Sequence, residues 1–96
     1  KIGSRIDTEE IEKEIEGLEK QHRQLTGAKA RLGQQMDNLD IMDKFYEKKY
    51  QDMETRLYRL YDEIEGVENS IEEVKNRLLN IRQQKISEEN VYQFLL

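Results

Sequence analysis

The sequence predicts an all-α chain folded as a long antiparallel two-helix coiled-coil hairpin with a short C-terminal helix stub, and three observations lead there. There is no proline, and the chain is rich in Glu, Lys, Arg, Gln, Leu and Ile, the composition of long helices. Apolar residues recur at alternating spacings of four and three along most of the sequence. A cluster of Asp and Asn residues breaks that rhythm near the middle, where turn-forming side chains would reverse the chain.

Each helix follows from its seam. The first is expected over about residues 8–38, with Ile11, Ile15, Leu18, His22, Leu25, Lys29, Leu32, Met36 and Leu39 on one stripe. Asp7 or Thr8 would cap it, and Glu9, Glu10 and Glu12 suit the positive end of its dipole. The turn is expected at about residues 39–43, inside Asp37-Asn38-Leu39-Asp40-Ile41-Met42-Asp43. The second helix, about 43–85, starts from Asp43 as its N-cap. It carries Tyr46, Tyr50, Met53, Leu57, Leu60, Ile64, Val67, Ile71, Val74, Leu78 and Ile81 without a break in the heptad. At about 1.5 Å per residue such a helix spans roughly 60 Å.

Antiparallel pairing requires partner indices with a constant sum. A sum of 82 works without gaps: Met36 faces Tyr46, Leu32 Tyr50, Lys29 Met53, Leu25 Leu57, His22 Leu60, Leu18 Ile64, Ile15 Val67 and Ile11 Ile71. His22 and Lys29 are the two polar seam residues. Their polar ends are expected to reach the edge of the seam, where they would also help to fix register.

The rhythm fails at Lys85-Ile86, and Ser87-Glu88-Glu89-Asn90 reads as a fresh N-cap ahead of Val91, Phe94 and Leu95. Residues 1–86 are therefore expected to form the hairpin, and 87–96 to start a third helix belonging to the next part of a longer protein. An opening at Lys1 without methionine and a stop within an apolar run at Leu96 suggest the same.

At 96 residues, 35% hydrophobic and 39% charged, the chain has material for a narrow seam and not for a wide core. Without cysteine it offers neither a disulfide nor a thiolate zinc site, and His22 alone builds no histidine metal cluster. No glycine-rich phosphate loop or nucleophile with a positioned base occurs, and carboxylates on solvated helix faces lack a cleft to tune them. No catalytic, metal-binding or cofactor-binding residue is expected, nor any small-molecule substrate. No apolar run approaches the roughly 20 residues needed to cross a bilayer, so no membrane role is expected.

The net charge of −5 is unevenly spread. Residues 22–60 carry a slight basic excess, and the rest is strongly acidic. Five of the seven aromatic residues fall between positions 45 and 61. The seam accounts for Tyr46 and Tyr50, whereas Phe45, Tyr58 and Tyr61 lie outside it, as do Ile41 and Met42 at the turn. The candidates for partner contact are Ile41, Met42, Phe45, Tyr46, Tyr58 and Tyr61. Lys44, Lys48, Lys49, Arg56 and Arg59 interleave with them, but long helices offer no concave platform for stacked bases, which disfavours direct nucleic-acid binding.

The stretch Met42-Asp43-Lys44-Phe45-Tyr46-Glu47-Lys48-Lys49-Tyr50-Gln51-Asp52-Met53, the run RLYRLYDEIEGVENSIEEV and the distal KISEENVYQFLL resemble the coiled-coil region of large serine recombinases, the site-specific integrases of phages and transposons. The likeness extends from about Ile11 to the end. It implies a cytoplasmic, non-catalytic arm that contacts the arm of another subunit, favouring synapsis of the correct sites and restraining the reverse reaction. Under this resemblance, DNA is bound by other domains of the parent protein, and the catalytic serine and zinc-binding cysteines lie elsewhere. A homodimer is expected for the chain by itself, because a two-helix seam leaves apolar flank and tip area uncovered. The alternative is a structural coiled-coil scaffold or adaptor with no DNA role.

Overall fold

The computed structural model describes the backbone of residues 2–95 and the side chains of residues 8–84. Two helices make up the described chain, α1 (Ile2–Asp37) and α2 (Tyr46–Leu95), joined by residues 38–45. The all-α antiparallel hairpin expected from the heptads is the fold observed.

The helix limits differ from expectation at three places. The cap positions Asp7 and Thr8 lie inside α1, which begins at Ile2. The first residue of α2 is Tyr46, because the turn before it is tighter than an α-turn: the Tyr46 N–H donates to the Asp43 carbonyl at 3.1 Å, and the first α-type bond runs from the Lys49 N–H to the Phe45 carbonyl. Finally, α2 runs through to Leu95 in one piece, so residues 87–95, expected to start a third helix, continue α2. No proline or glycine stands at Ser87-Glu88-Glu89-Asn90 to stop it, and the propensity cost of Ser and Asn within a helix is only a fraction of a kcal/mol each, below about 0.7. The side chains of that segment lie outside the described residues.

The chain divides into two compact units, residues 1–19 with 69–96, and residues 20–68. In the first, Ile11, Val74 and Leu78 form a buried cluster against which Ile15, Leu18 and Ile81 pack. Ion pairs fasten its flanks: Glu12 to Arg82 at 3.2 Å, Glu19 to Lys75 at 3.4 Å and Glu14 to Arg77 at 3.9 Å. In the second unit Leu32, Ile64 and Val67 are buried, and the chain reverses through residues 38–45. His22 Nε2 lies 3.1 Å from a Glu68 oxygen, and the Lys29 ammonium lies 4.7 Å from the centre of the Tyr61 ring. Both polar seam residues thus send their polar ends to the edge, as expected. No described side chain is fully buried, the signature of a core one seam wide.

These contacts displace the register by one heptad from the expected one. The sum of 82 puts Ile11 opposite Ile71, whereas it packs with Val74 and Leu78. Within the other unit, the same sum puts His22 opposite Leu60 and Lys29 opposite Met53, yet they reach Glu68 and Tyr61. For His22 and Lys29 eight residues of helix, roughly 12 Å, separate the expected position from the one observed, too far for side-chain rotation to bridge. A slip of seven keeps the apolar stripes of the two helices facing each other, so the seven-residue spacing alone does not choose between the two registers. The flanks choose. In the observed register Glu12, Glu14 and Glu19 each meet a cation; one heptad earlier Glu12 would meet Lys75, Glu14 would meet Ser70, and Glu19 would find none. Each solvent-exposed pair contributes roughly 0.2–1 kcal/mol, enough in sum to separate two otherwise equivalent registers.

Two glycines interrupt the helices without a packing reason. A Cβ added at Gly17 or at Gly66 would meet nothing within 4 Å, and both sites are exposed. Gly17→Ala and Gly66→Ala should each raise stability by about 1 kcal/mol through helix propensity, measured by thermal or urea unfolding followed by circular dichroism.

Candidate interaction surface

The connection is built by two aspartates that turn their side chains onto the backbone. The Met42 N–H donates to Asp40 Oδ1 at 2.9 Å, and the Asp43 N–H donates to the Asp40 carbonyl at 3.0 Å. Asp43, expected as the N-cap, instead closes the turn that leads into α2, its Oδ1 accepting the Phe45 N–H at 2.8 Å two residues on. Its other carboxylate oxygen accepts a 2.7 Å bond from the Lys49 ammonium. The Lys49 hydrogen bond, followed by the Phe45 N–H, holds the Asp43 carboxyl below its ordinary value of 3.8, against the opposing effect of desolvation. Among the described residues no backbone angle is left-handed, so the reversal needs no glycine.

With the two aspartates turned onto the backbone, the apolar side chains are left outside. Ile41 is 76% exposed, Met42 89% and Phe45 57%. The Lys44 ammonium sits 5.8 Å from the centre of the Phe45 ring. Tyr46 is half-buried and stacks at 5.9 Å, tilted by 33°, on Tyr50. Tyr50, expected in the seam opposite Leu32, is instead 37% exposed. In the displaced register the positions opposite Tyr46 and Tyr50 fall in the connection, where α1 has already ended.

Tyr58 and Tyr61 form a second ring pair, with centroids 6.4 Å apart, on the exposed face of α2. They are more than three turns beyond Tyr46, roughly 18 Å along the helix. The six candidate residues therefore make two groups: Ile41, Met42, Phe45 and Tyr46 around the connection, and Tyr58 with Tyr61 on the flank.

A third feature is absent from the expectations drawn from the sequence. Residues 20–68 also hold an open groove of about 340 Å³ whose lining includes Leu32 and Leu60, with Ala28, together with the exposed Arg31, Arg56, Arg59 and Glu63. Its one sequence signal is Ala28, which puts a methyl group on a flank position where a long side chain would have filled the space. Among the described residues none of these three arginines forms an ion pair, whereas Lys75, Arg77 and Arg82 in the other unit are all paired. A second groove, about 290 Å³ beside Ile11 and Ile81, is bordered by the Glu14–Arg77 pair.

Among the described residues no polar side chain is buried and no cluster of three or more potential metal ligands occurs, nor is any helix long and apolar enough to cross a membrane. No protein-family model matches the chain, and no match to a curated protein or to a solved structure is found.

The Asp43 side chain carries a pH dependence of defined sign. Because its folded pKa is depressed, its contribution is complete above the ordinary value near 3.8 and is lost as the pH falls through the lower folded value. Asp43→Asn should lower the melting temperature at neutral pH, and the gap from the wild type should close as both are acidified, as read by melts across an acid pH series.

Proposed function

We propose that the chain is the coiled-coil arm of a large serine recombinase, mediating the subunit–subunit contacts that control synapsis and directionality in site-specific DNA recombination and integration. The observation that carries this reading is the apolar group at the connection, where Ile41, Met42 and Phe45 stand out from a turn whose aspartates are turned back onto its backbone. The likeness of residues 42–53 to that family's coiled coil covers this same segment and supports the assignment. The arm itself neither cuts DNA nor holds a cofactor; DNA is engaged through other domains of the parent protein.

A paired-helix arm suits such control because its stiffness lets geometry decide which subunits meet. Subunits already held on DNA present their arms to one another at high effective concentration, so a weak contact of a few apolar side chains suffices. Arrangements that keep the connections apart lose that gain entirely. A structural scaffold or adaptor is the second reading, favoured by the exposed Tyr58–Tyr61 pair, which lies away from the connection.

In a recombinase carrying this segment, Met42→Glu should reduce recombination by about tenfold or more while leaving helicity unchanged, since a desolvated carboxylate costs more than the roughly 1.4 kcal/mol that a tenfold loss represents. Recombination at the wild-type level with the charge in place would contradict the reading.

A further inference from the structure

Two surfaces of residues 20–68 are unexplained by the contact at the connection, and they complement each other. One is the groove with its apolar floor of Ala28, Leu32 and Leu60, its three arginines, Arg31, Arg56 and Arg59, unpaired among the described residues, and one carboxylate, Glu63, in its lining. The other is the exposed face of α2, where Tyr58 and Tyr61 present two rings at a spacing of three residues, with the Lys29 ammonium 4.7 Å from the centre of the Tyr61 ring. Helical periodicity places Glu54, Asp62 and Glu65 around those rings, each four residues from one of them. A ring pair flanked by carboxylates is the chemistry an arginine-bordered apolar groove selects, in the manner of a helix laid into a groove by anchors at i and i+3.

We infer that the groove of one copy receives the Tyr58–Tyr61 face of a second copy of this chain. The charge relation commits the groove to this occupant: its lining carries three arginines against one carboxylate, Glu63, none of the three is ion-paired among the described residues, and the same stretch of α2 carries on its other side three carboxylates against the single ammonium of Lys29. Both surfaces occupy one level of α2, so copies meet side by side. The tyrosines lie on one side of the seam row of α2, and Arg56 and Arg59 on the other. The contact is therefore heterologous: each copy has one donor face and one acceptor groove, and association continues past two copies unless the rotation closes a ring. The contact is independent of the one at the connection. On DNA it would gather neighbouring arms laterally.

Sedimentation equilibrium of the whole chain over a wide concentration series tests it, with circular dichroism confirming that each variant is folded. The wild type should rise in mass beyond a dimer, and Arg59→Glu and Asp62→Arg should each weaken association by about tenfold or more. Mixed in equal amounts, the two variants should regain it, because the carboxylate introduced at position 59 of one then meets the guanidinium introduced at position 62 of the other, while the unaltered groove and face still match. A wild type that stays monomeric at every concentration, or association insensitive to both changes, would overturn the inference. Association abolished by Met42→Glu but untouched by Arg59→Glu and Asp62→Arg would also overturn it, and would leave the contact at the connection as the one that operates.

Discussion

A two-helix seam buries one stripe of each helix and nothing more, and the rest of this structure follows from that limit. Among the described residues the core of the first unit is Ile11, Val74 and Leu78 with three half-buried neighbours; in residues 20–68 the buried side chains are Leu32, Ile64 and Val67. With so little apolar area available, a repeat of seven makes neighbouring registers nearly equal in hydrophobic free energy. Specificity passes to the flanks, where individually weak ion pairs decide which register is occupied. Glu12, Glu14 and Glu19 with Arg82, Arg77 and Lys75 are thus selectors of alignment more than sources of stability.

The same economy explains why the largest exposed apolar side chains of the connection and the tyrosine pair sit in residues 20–68. There the flank positions carry tyrosine, alanine and arginine instead of complementary charges. Lys29 places its ammonium on the Tyr61 ring, and His22 meets Glu68, while Arg31, Arg56 and Arg59 stay unpaired among the described residues. At the connection, Asp40 and Asp43 satisfy the backbone through their own side chains, which allows Ile41, Met42 and Phe45 to face outward without loosening the turn. Polar residues make the structure here, and apolar ones are left exposed.

Much of this is legible in the residues. The heptads of Ile11–Leu39 and Tyr46–Ile81 give the helices and their antiparallel return, and the turn-forming role of Asp40 and Asp43 can be read from their place ahead of the second seam. The exposure of Ile41, Met42, Phe45, Tyr58 and Tyr61 follows from their falling outside the stripe. The register does not follow, because apolar spacing repeats every seven residues and is blind to a slip of one heptad; matching the charges of Glu12, Glu14 and Glu19 against α2 resolves it. Tyr50 is misplaced in the seam for the same reason. The Ser87–Asn90 signal fails because cap-forming residues mark a helix start only when something ends the preceding helix, and nothing there does. The groove is invisible in the sequence because it needs Ala28 and Arg31 of one helix beside Arg56 and Arg59 of the other, a pairing that depends on the correct register.

Disulfide trapping tests the register most directly, since every interhelical contact named above depends on it. Under mild oxidation, Ile11→Cys with Leu78→Cys should form an intramolecular disulfide. Ile11→Cys with Ile71→Cys should not, because seven residues of helix shift the partner by roughly 10 Å, beyond the Cα separation of about 7 Å that a disulfide bridges. Efficient closure of the Ile11–Ile71 pair, with the Ile11–Leu78 pair left reduced, would contradict the account.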